Sequence, residues 1–407
     1  MNSTSRTARH VARTAARCLT VVALALMSLG ARSQSAQPIR LGGIFHLSGP
    51  AATFGLSNKT GAELAVKQIN DAGGIGGRQV VLVVGDDKSD PTAAVTEVSR
   101  LISQEKVVAI IGSGISHVTM AFQPLVTQAK VLNISGSSLL MPLPQAPYSF
   151  ASFSAMDTNI KAMVDYAVKT HGAKTFALLG NNGSNSKLSV DAMKKELESR
   201  RLTITGIQEY AIAARDMVPQ LLDLRGKNPD VLFLFSSLGA DTGNVHKGLA
   251  QLNWSPKVIG DIGTGYASEG AIAAAGGKEA FRNTVALNFK AFTYCPGDPT
   301  PTRTSRLAEQ LKQFAPDVAP KLALATAGMH YDAVNLFKAA VEGSAGKTDG
   351  PTLAAWIESN TGKYKGIVFT DSASSSTHFL SGLPDLAMMH IETSRPDDRM
   401  MLRADCK

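Results

Sequence analysis

Two kinds of hydrophobic pattern alternate along the chain. Short apolar runs are typical of buried strands, and longer segments between them carry their apolar residues on one helical face. The predicted strands are 39–45, 79–84, 107–111 and 131–134, and the predicted helices are 55–70, 91–104 and 117–129. Asp90 is expected to cap the second helix, with Pro91 at its first position. Short apolar strands alternating with amphipathic helices favour a parallel sheet covered on both faces.

The same alternation restarts after a proline-rich stretch that spans residues 142–147. Its predicted strands are 175–179, 202–207, 231–235 and 258–259, and its predicted helices are 187–200, 217–224 and 241–252. From residue 302 the chain is mostly helical, with helices predicted over 322–341 and 353–360 and strand-like segments at 365–369 and 386–391. We therefore predict an α/β fold of two doubly wound parallel-sheet lobes.

The first 36 residues have a different character. Four arginines precede a mainly apolar run from Leu19 to Met27, small residues follow it, and no acid occurs before Glu63. A basic region, a short apolar core and a small-residue exit are typical of a secretory signal peptide, and the run is shorter than the roughly 20 residues a membrane span needs. We expect residues 1–36 to be removed and the protein to work outside the cytoplasm. Cys18 precedes the apolar run, so we expect no lipid anchor.

The signal peptide changes the meaning of the charge. The whole chain has 41 basic and 33 acidic residues, a net charge of +8, but five arginines fall in residues 1–36. The remainder has 36 basic residues, a net charge of +3, which weakens any argument for nucleic-acid binding. Its length suggests two domains. We expect no nucleic-acid partner.

Candidate binding residues follow the predicted strands. In open parallel sheets, ligands bind beyond the carboxyl ends of the strands. The third strand ends in Gly112-Ser113-Gly114-Ile115-Ser116, followed by His117, and the fourth ends in Ser135-Gly136-Ser137-Ser138. Such small, hydroxyl-rich turns at a helix N-terminus suit a carboxylate or a similar anion. Capping and turn formation alone also explain the serines and glycines.

The strand ends of the second lobe are also small and polar. They include Asn185, Ser237 and Asp261, and Asp261 is the only charge among them. An isolated aspartate in a glycine-rich turn is also a common turn residue, so both interpretations of Asp261 stay open.

Motifs for catalysis, metals and nucleotides are scarce. Residues 73–77 are glycine-rich, but they follow a helix and precede a strand, the reverse of a dinucleotide fingerprint. Asp86-Asp87 invites a metal interpretation, although a capping or surface role is the commoner one. No GxSxG elbow, HExxH or CxxC occurs. We expect no catalytic residues, no metal site and no cofactor.

Four segments together resemble the periplasmic leucine/isoleucine/valine-binding protein family, the substrate-binding components of ABC importers. They are IRLGGIFHLSGP at 39–50, GAELAVKQINDAGGIGG at 61–77, DDKSDP at 86–91 and residues 110–138. The similarity runs over nearly the whole mature chain and includes Tyr331-Asp332-Ala333-Val334. The resemblance implies a type I periplasmic binding fold, with two lobes joined by three hinge crossovers near residues 150–156, 285–293 and 365–372.

The resemblance also implies lobe boundaries and ligand contacts. The first lobe would comprise residues 37–152 and 290–368, and the second 153–289 and 369–407. The Ser116 turn and the Ser137-Ser138 turn match family positions that hold a ligand carboxylate, and Thr53-Phe54-Gly55 matches another ligand-facing stretch.

The second lobe departs from the amino-acid-binding pattern. Asn185-Ser186 stands where the family often has Tyr-Gly. Ile262 stands where amino-acid binders have the acid that pairs with the ligand's ammonium, and Asp261 lies one residue earlier. This difference puts α-amino-acid binding in question and leaves the carboxylate half of the site unaffected.

The functional expectation is a monomeric solute-binding protein of an ABC importer. It would capture a small carboxylate-bearing ligand, an organic acid or an amino acid, and deliver it to a membrane permease. An extracytoplasmic ligand sensor on the same fold is the alternative, and a secreted α/β hydrolase is a weaker one because no activated nucleophile is identifiable. Cys295 and Cys406 remain after signal removal in an oxidising compartment, so we expect them to form a disulfide.

Overall fold

The computed structural model describes residues 37–236, 238–300, 302–395 and 400–406. The predicted signal peptide, residues 1–36, and Ser237 lie outside the described residues. Within the described ranges, no helix is both long and apolar enough to cross a membrane.

The first sheet has six parallel strands in the order β12-β5-β4-β3-β1-β2. Its strands are β1 (Ile39–Phe45), β2 (Val80–Asp86), β3 (Ala109–Gly112), β4 (Leu132–Ser135), β5 (Ser149–Ser154) and β12 (Phe379–Ser381). The order places β3 and β4 side by side, so the two serine-rich turns leave the same edge of the sheet as neighbours.

The second sheet has eight strands in the order β11-β14-β13-β10-β9-β8-β6-β7. Strands β7, β6, β8, β9 and β10 are parallel, and β13 pairs antiparallel with both β10 and β14. Its strands are β6 (Thr175–Asn181), β7 (Thr203–Tyr210), β8 (Val231–Phe235), β9 (Lys257–Gly260), β10 (Thr284–Phe289), β11 (Thr293–Tyr294), β13 (Leu386–Ser394) and β14 (Met401–Arg403).

Twelve α-helices lie in the described part of the chain. They are α1 (Ala52–Asp71), α2 (Pro91–Ser103), α3 (Ser116–Ala129), α4 (Met156–His171), α5 (Ser184–Ser199), α6 (Val218–Gly226), α7 (Gly239–Gln251), α8 (Ile262–Tyr266), α9 (Ser268–Ala275), α10 (Arg303–Phe314), α11 (Leu324–Gly343) and α12 (Gly350–Ser359). The Asp90 side chain accepts a hydrogen bond from the Ala93 amide and so caps α2, as the sequence predicts.

Helices cover both sheets, which is why the central strands are apolar throughout. All five residues of β8 are fully buried, and so are all four of β3. In the first lobe, α1 packs closely against α11. A Cβ atom at Gly61 would lie 2.0 Å from the Ala327 carbonyl oxygen, so only glycine allows these helices to approach this closely. The predicted α/β fold with two doubly wound lobes is confirmed.

Residues 365–369, predicted to be strand-like, do not form a strand. Instead, the amides of Ile367 and Val368 donate to the buried Asp332 carboxylate, at 2.9 and 2.6 Å. A side chain from α11 therefore takes the place of a neighbouring strand as hydrogen-bond acceptor.

Strand pairing differs from the predicted lobe boundaries at two short segments. β12 pairs with β5 in the first sheet, although residues 369–407 were expected in the second lobe. β11 pairs with β14 in the second sheet, although residues 290–368 were expected in the first. The chain therefore leaves the second sheet after Tyr294 and returns to it between Ser381 and Leu386. The third crossover consequently lies later than the predicted 365–372.

Candidate functional site

The two serine-rich turns meet at the carboxyl edge of the first sheet. The Ser116 and Ser138 hydroxyl oxygens lie 3.1 Å apart, and the Ser138 amide donates to the Ser116 hydroxyl at 3.2 Å. Both side chains are partly buried. Two residues separated by 22 positions in the chain therefore present their hydroxyl groups at one point, as expected for neighbouring parallel strands.

Ser116 is also the first residue of α3, a helix of 14 residues. Its N-cap, Ile115, provides no side-chain hydrogen bond, and the first turn contains no acid. The first amides of a helix lack intrahelical partners, and the helix dipole makes this end positive. This end of α3 combines hydroxyl donors with an electropositive helix terminus, which is the chemistry that binds a carboxylate.

Ser137 has a different position from Ser138. It is fully buried; its hydroxyl donates to the Leu139 carbonyl oxygen and accepts from the Leu139 amide at 3.1 Å. Ser137 therefore shapes its own turn, and Ser138 is the residue that reaches the cleft.

A small cavity of about 40 Å³ lies between the Ser138 turn of the first sheet and the strand ends of the second sheet. Ser138 lines it from the first sheet, and Asn185, Asp261 and Ile262 line it from the second. Three predicted residues from separate strand ends thus share one cavity. Wider grooves exist, such as one of about 570 Å³ between α4 and α5, but that groove is lined by the second lobe alone.

Asp261 combines a structural role with its place in the cavity. Its Oδ1 accepts hydrogen bonds from the amide and the hydroxyl of Thr264, both at 2.9 Å, and so caps the short helix α8. Burial raises the pKa of Asp261 to about 6, because a desolvated carboxylate is costly. The adjacent Ile262 offers only apolar contact.

Asn185 is exposed in the first turn of α5 and lines the same cavity. Its neighbour Ser186 is buried and donates its hydroxyl to the Phe235 carbonyl oxygen at 3.2 Å. Ser186 therefore anchors α5 to β8, next to the position at which Asn185 borders the cavity.

Thr53, Phe54 and His117 do not line this cavity. Thr53 and His117 are exposed, and Phe54 is 51% exposed in the first turn of α1. All three stand just beyond β1 or β3, at the same edge of the first sheet as the serine turns.

Sequence reasoning missed the cavity residues supplied by the first crossover and by α4 and α5. They are Ser154, Met156, Asn159, Ile160, Met163 and Ser189. The predicted crossover near 150–156 was a usable signal, since a segment that passes between two lobes borders the cleft between them. Ser154 ends β5, which is not among the predicted strands, and the other five residues lie in helices rather than at strand ends.

The Asp86-Asp87 pair does not form a joint site. Asp86 Oδ1 accepts from the amides of Leu47 and Lys88, at 2.9 and 2.8 Å. Asp87 faces the interior and accepts from the Ser113 hydroxyl at 2.6 Å. The two carboxylates thus serve separate hydrogen-bond networks.

A family model described as "Periplasmic binding protein" matches residues 38–392. The chain belongs to this family. It is 26% identical over 246 residues to the Leu/Ile/Val-binding protein homolog 3 of Brucella melitensis biotype 1, an alignment that covers 58% of this chain and 64% of that protein. A stretch of 95 residues, 23% of each chain, is 41% identical to the Leu/Ile/Val-binding protein homolog 7 of Brucella abortus. The chain spans just under two thirds of the length of the first of these relatives.

Solved structures agree on the fold. LivJ, a branched-chain amino acid transporter substrate-binding protein of Streptococcus pneumoniae in complex with isoleucine, has a TM-score of 0.67 and 21% identity, covering 88% of this chain and 97% of LivJ. An amino acid ABC transporter substrate-binding protein of Pseudomonas fluorescens has a TM-score of 0.71 and 17% identity, covering 91% of this chain and 95% of that one. This periplasmic binding protein therefore shares the two-lobe fold with both.

Proposed function

We propose that this protein is an extracytoplasmic solute-binding protein of an ABC importer, which captures a small carboxylate-bearing ligand between its lobes and delivers it to a membrane permease. The observation that carries the proposal is the contact between Ser116 and Ser138 at the N-terminus of α3. Family membership supports the binding role. The proposal includes export by residues 1–36, release without a lipid anchor, and action as a monomer.

The carboxylate would lie against the two serine hydroxyl groups and the first amides of α3. Hydrogen bonds to a charged acceptor are stronger than neutral ones, and the helix dipole adds to them. Asn185 and Asp261 would contact the ligand from the second lobe, since both share a cavity with Ser138. Ser237 remains a candidate from the sequence alone.

We further propose that the ligand lacks an α-ammonium group. A buried ammonium needs a paired acid, because an unpaired buried charge costs several kcal/mol. Ile262 offers no charge, and Asp261 uses Oδ1 to cap α8 while its pKa is raised by burial. An aliphatic or aromatic organic acid fits this arrangement better than a branched-chain amino acid.

Two measurements test the proposal. Mass spectrometry of the small molecule retained by natively purified protein should detect a carboxylic acid. Calorimetric titration should then rank 4-methylpentanoate, which is leucine without its ammonium, above leucine itself, with benzoate as an aromatic comparison. Micromolar leucine binding that is lost in Asp261→Ala would show that Asp261 pairs with an ammonium and would contradict the proposed ligand class.

A further inference from the structure

A group of buried polar side chains lies directly beneath the two serine turns. Each is at most 2% exposed, and they come from several separate elements of the first lobe: His46, Asn58, Asp87, Ser113 and His330. None of them lines the cleft cavity. Burying polar groups is unfavourable unless they are hydrogen-bonded, so their concentration behind a proposed binding site calls for an explanation.

Ser113 connects both turns. Its hydroxyl accepts a hydrogen bond from the Ile115 amide at 3.3 Å, immediately before Ser116. Its carbonyl oxygen accepts from the Gly136 amide at 3.0 Å, two residues before Ser138. One residue thus holds the turn that carries Ser116 and the turn that carries Ser138.

Asp87 fixes Ser113 from below. The Ser113 hydroxyl donates to Asp87 Oδ2 at 2.6 Å, and Asp87 Oδ1 accepts from the Ser89 amide at 2.8 Å. The Asp87 amide itself donates to the Phe45 carbonyl oxygen at 2.9 Å. The carboxylate is therefore held at the end of β2 by both of its oxygens and by its backbone.

His46 faces the same carboxylate. The side-chain nitrogen of Asn58 lies 3.4 Å from His46 Nε2. His46 Nδ1 lies 3.9 Å from Asp87 Oδ2, too far for a hydrogen bond but close enough for an electrostatic contact. The Nδ1 edge of the ring is thus turned toward the buried carboxylate.

The backbones of the Ser116 and Ser138 turns pack directly against these buried side chains. A Cβ atom at Gly114 would lie 2.7 Å from Asn58 Nδ2 and 2.9 Å from His46 Cε1. A Cβ atom at Gly136 would lie 2.7 Å from His330 Cε1. A displacement of the buried side chains would therefore displace the turns.

We propose that Asp87 and Ser113 are positioning residues for the carboxylate site: together they hold the Ser116 and Ser138 turns in the one arrangement in which the donors of both converge on a single carboxylate. This inference rests on the proposed function. Hydrogen bonds weaken steeply with distance and angle, so donors on two separate turns act jointly only if their relative placement is fixed.

Nuclear magnetic resonance with acetate as the minimal carboxylate tests this inference. In the wild type, acetate should shift the amide signals of Ser116 and Ser138. Ser113→Ala and Asp87→Asn should move the signals of both turns before acetate is added, and they should weaken acetate binding at least tenfold. Ser149→Ala is the matched control: Ser149 is equally buried in the same sheet, its hydroxyl has no partner among the described residues, and we expect its loss to affect neither turn.

Rescue by a conservative variant separates positioning from general stability. Ser113→Cys keeps the size and a weak donor, so acetate affinity should fall in the order Ser, Cys, Ala, measured well below the melting temperature of each variant. Equal acetate affinity with Ser, Cys and Ala at position 113 would overturn the inference. So would a shift of the amide signals in only one of the two turns, or failure of both Ser113 variants and Asp87→Asn to fold. If acetate shifts neither amide signal in the wild type, the proposed carboxylate site is wrong. The ligand-free spectra of the wild type and the variants then still show whether Ser113 and Asp87 hold both turns in place.

Discussion

Three serines, Ser116, Ser137 and Ser138, were predicted from the sequence to contact a ligand. The sequence places all three beyond neighbouring strands, and parallel pairing of β3 with β4 brings their turns together. It does not distinguish Ser137 from Ser138, because adjacent residues in a turn point in different directions. Only the structure shows the Ser137 hydroxyl bonded within its turn and the Ser138 hydroxyl beside Ser116.

Ser116→Ala should weaken ligand binding by about ten- to a hundredfold. The change removes one hydrogen bond to a charged acceptor, worth roughly 1.5–3 kcal/mol. The fold should survive because the residue is only partly buried. Calorimetry with the retained ligand measures the effect, and Ser103→Ala, at an exposed serine in α2, is the control. Affinity within twofold of the wild type would move the site away from Ser116.

At the scale of elements, local signals predicted α2 and its Asp90 cap, because a cap depends on residues close in sequence. Local signals wrongly predicted a strand at residues 365–369, because the backbone amide of Ile367 donates to the side chain of Asp332, more than 30 residues away in the chain. This region contains two further buried acids, Asp371 and Asp385. Burial and, to a smaller extent, the neighbouring Asp385 together raise the pKa of Asp371 to about 7.

Asp371→Asn should make stability less dependent on pH. The folded state keeps the Asp371 proton up to about pH 7, whereas the unfolded chain releases it near pH 3.8, so stability falls as pH rises between these values. The variant should melt higher than the wild type at pH 8 and show a shallower slope from pH 5 to 8. Its φ of 53° also suits asparagine.

Thermal melting from pH 5 to 8 measures this slope, and Asp349→Asn is the control. Asp349 caps α12, and its hydrogen bonds with Thr352 hold its pKa below the ordinary value. Its loss should lower the melting temperature about equally across this range. A slope in Asp371→Asn identical to the wild type would show that Asp371 is ionised in the folded protein.

For the whole molecule, the alternation of strands and helices predicted both sheets, because the central strands are buried between helix layers. The lobe boundaries were less accessible to sequence: β11 and β12 have only two and three residues, too short to show a period. Their pairing moves the crossovers relative to the predicted positions. The cavity between the lobes depends on this three-dimensional arrangement, which explains why residues from α4 and α5 were missed.

Thiol titration of denatured, unreduced mature protein should find no free thiol. Cys295 and Cys406 are bonded in the structure, with Cα atoms 5.4 Å apart and a sequence separation of 111. Replacing both by serine should cost roughly 2–5 kcal/mol of stability, because a long loop in the unfolded chain is no longer closed. Detection of two thiols per chain would show that the tail is not linked.

Small-angle scattering with and without the retained ligand tests whether the ligand binds between the two lobes. A ligand bound by Ser116 and Ser138 in one lobe and by Asn185 and Asp261 in the other favours the closed arrangement, because only that arrangement makes both sets of contacts. We expect a smaller radius of gyration at saturation, and a smaller decrease in Ser116→Ala at a ligand concentration that just saturates the wild type. A wild-type radius that stays the same at saturation would contradict binding between the two lobes.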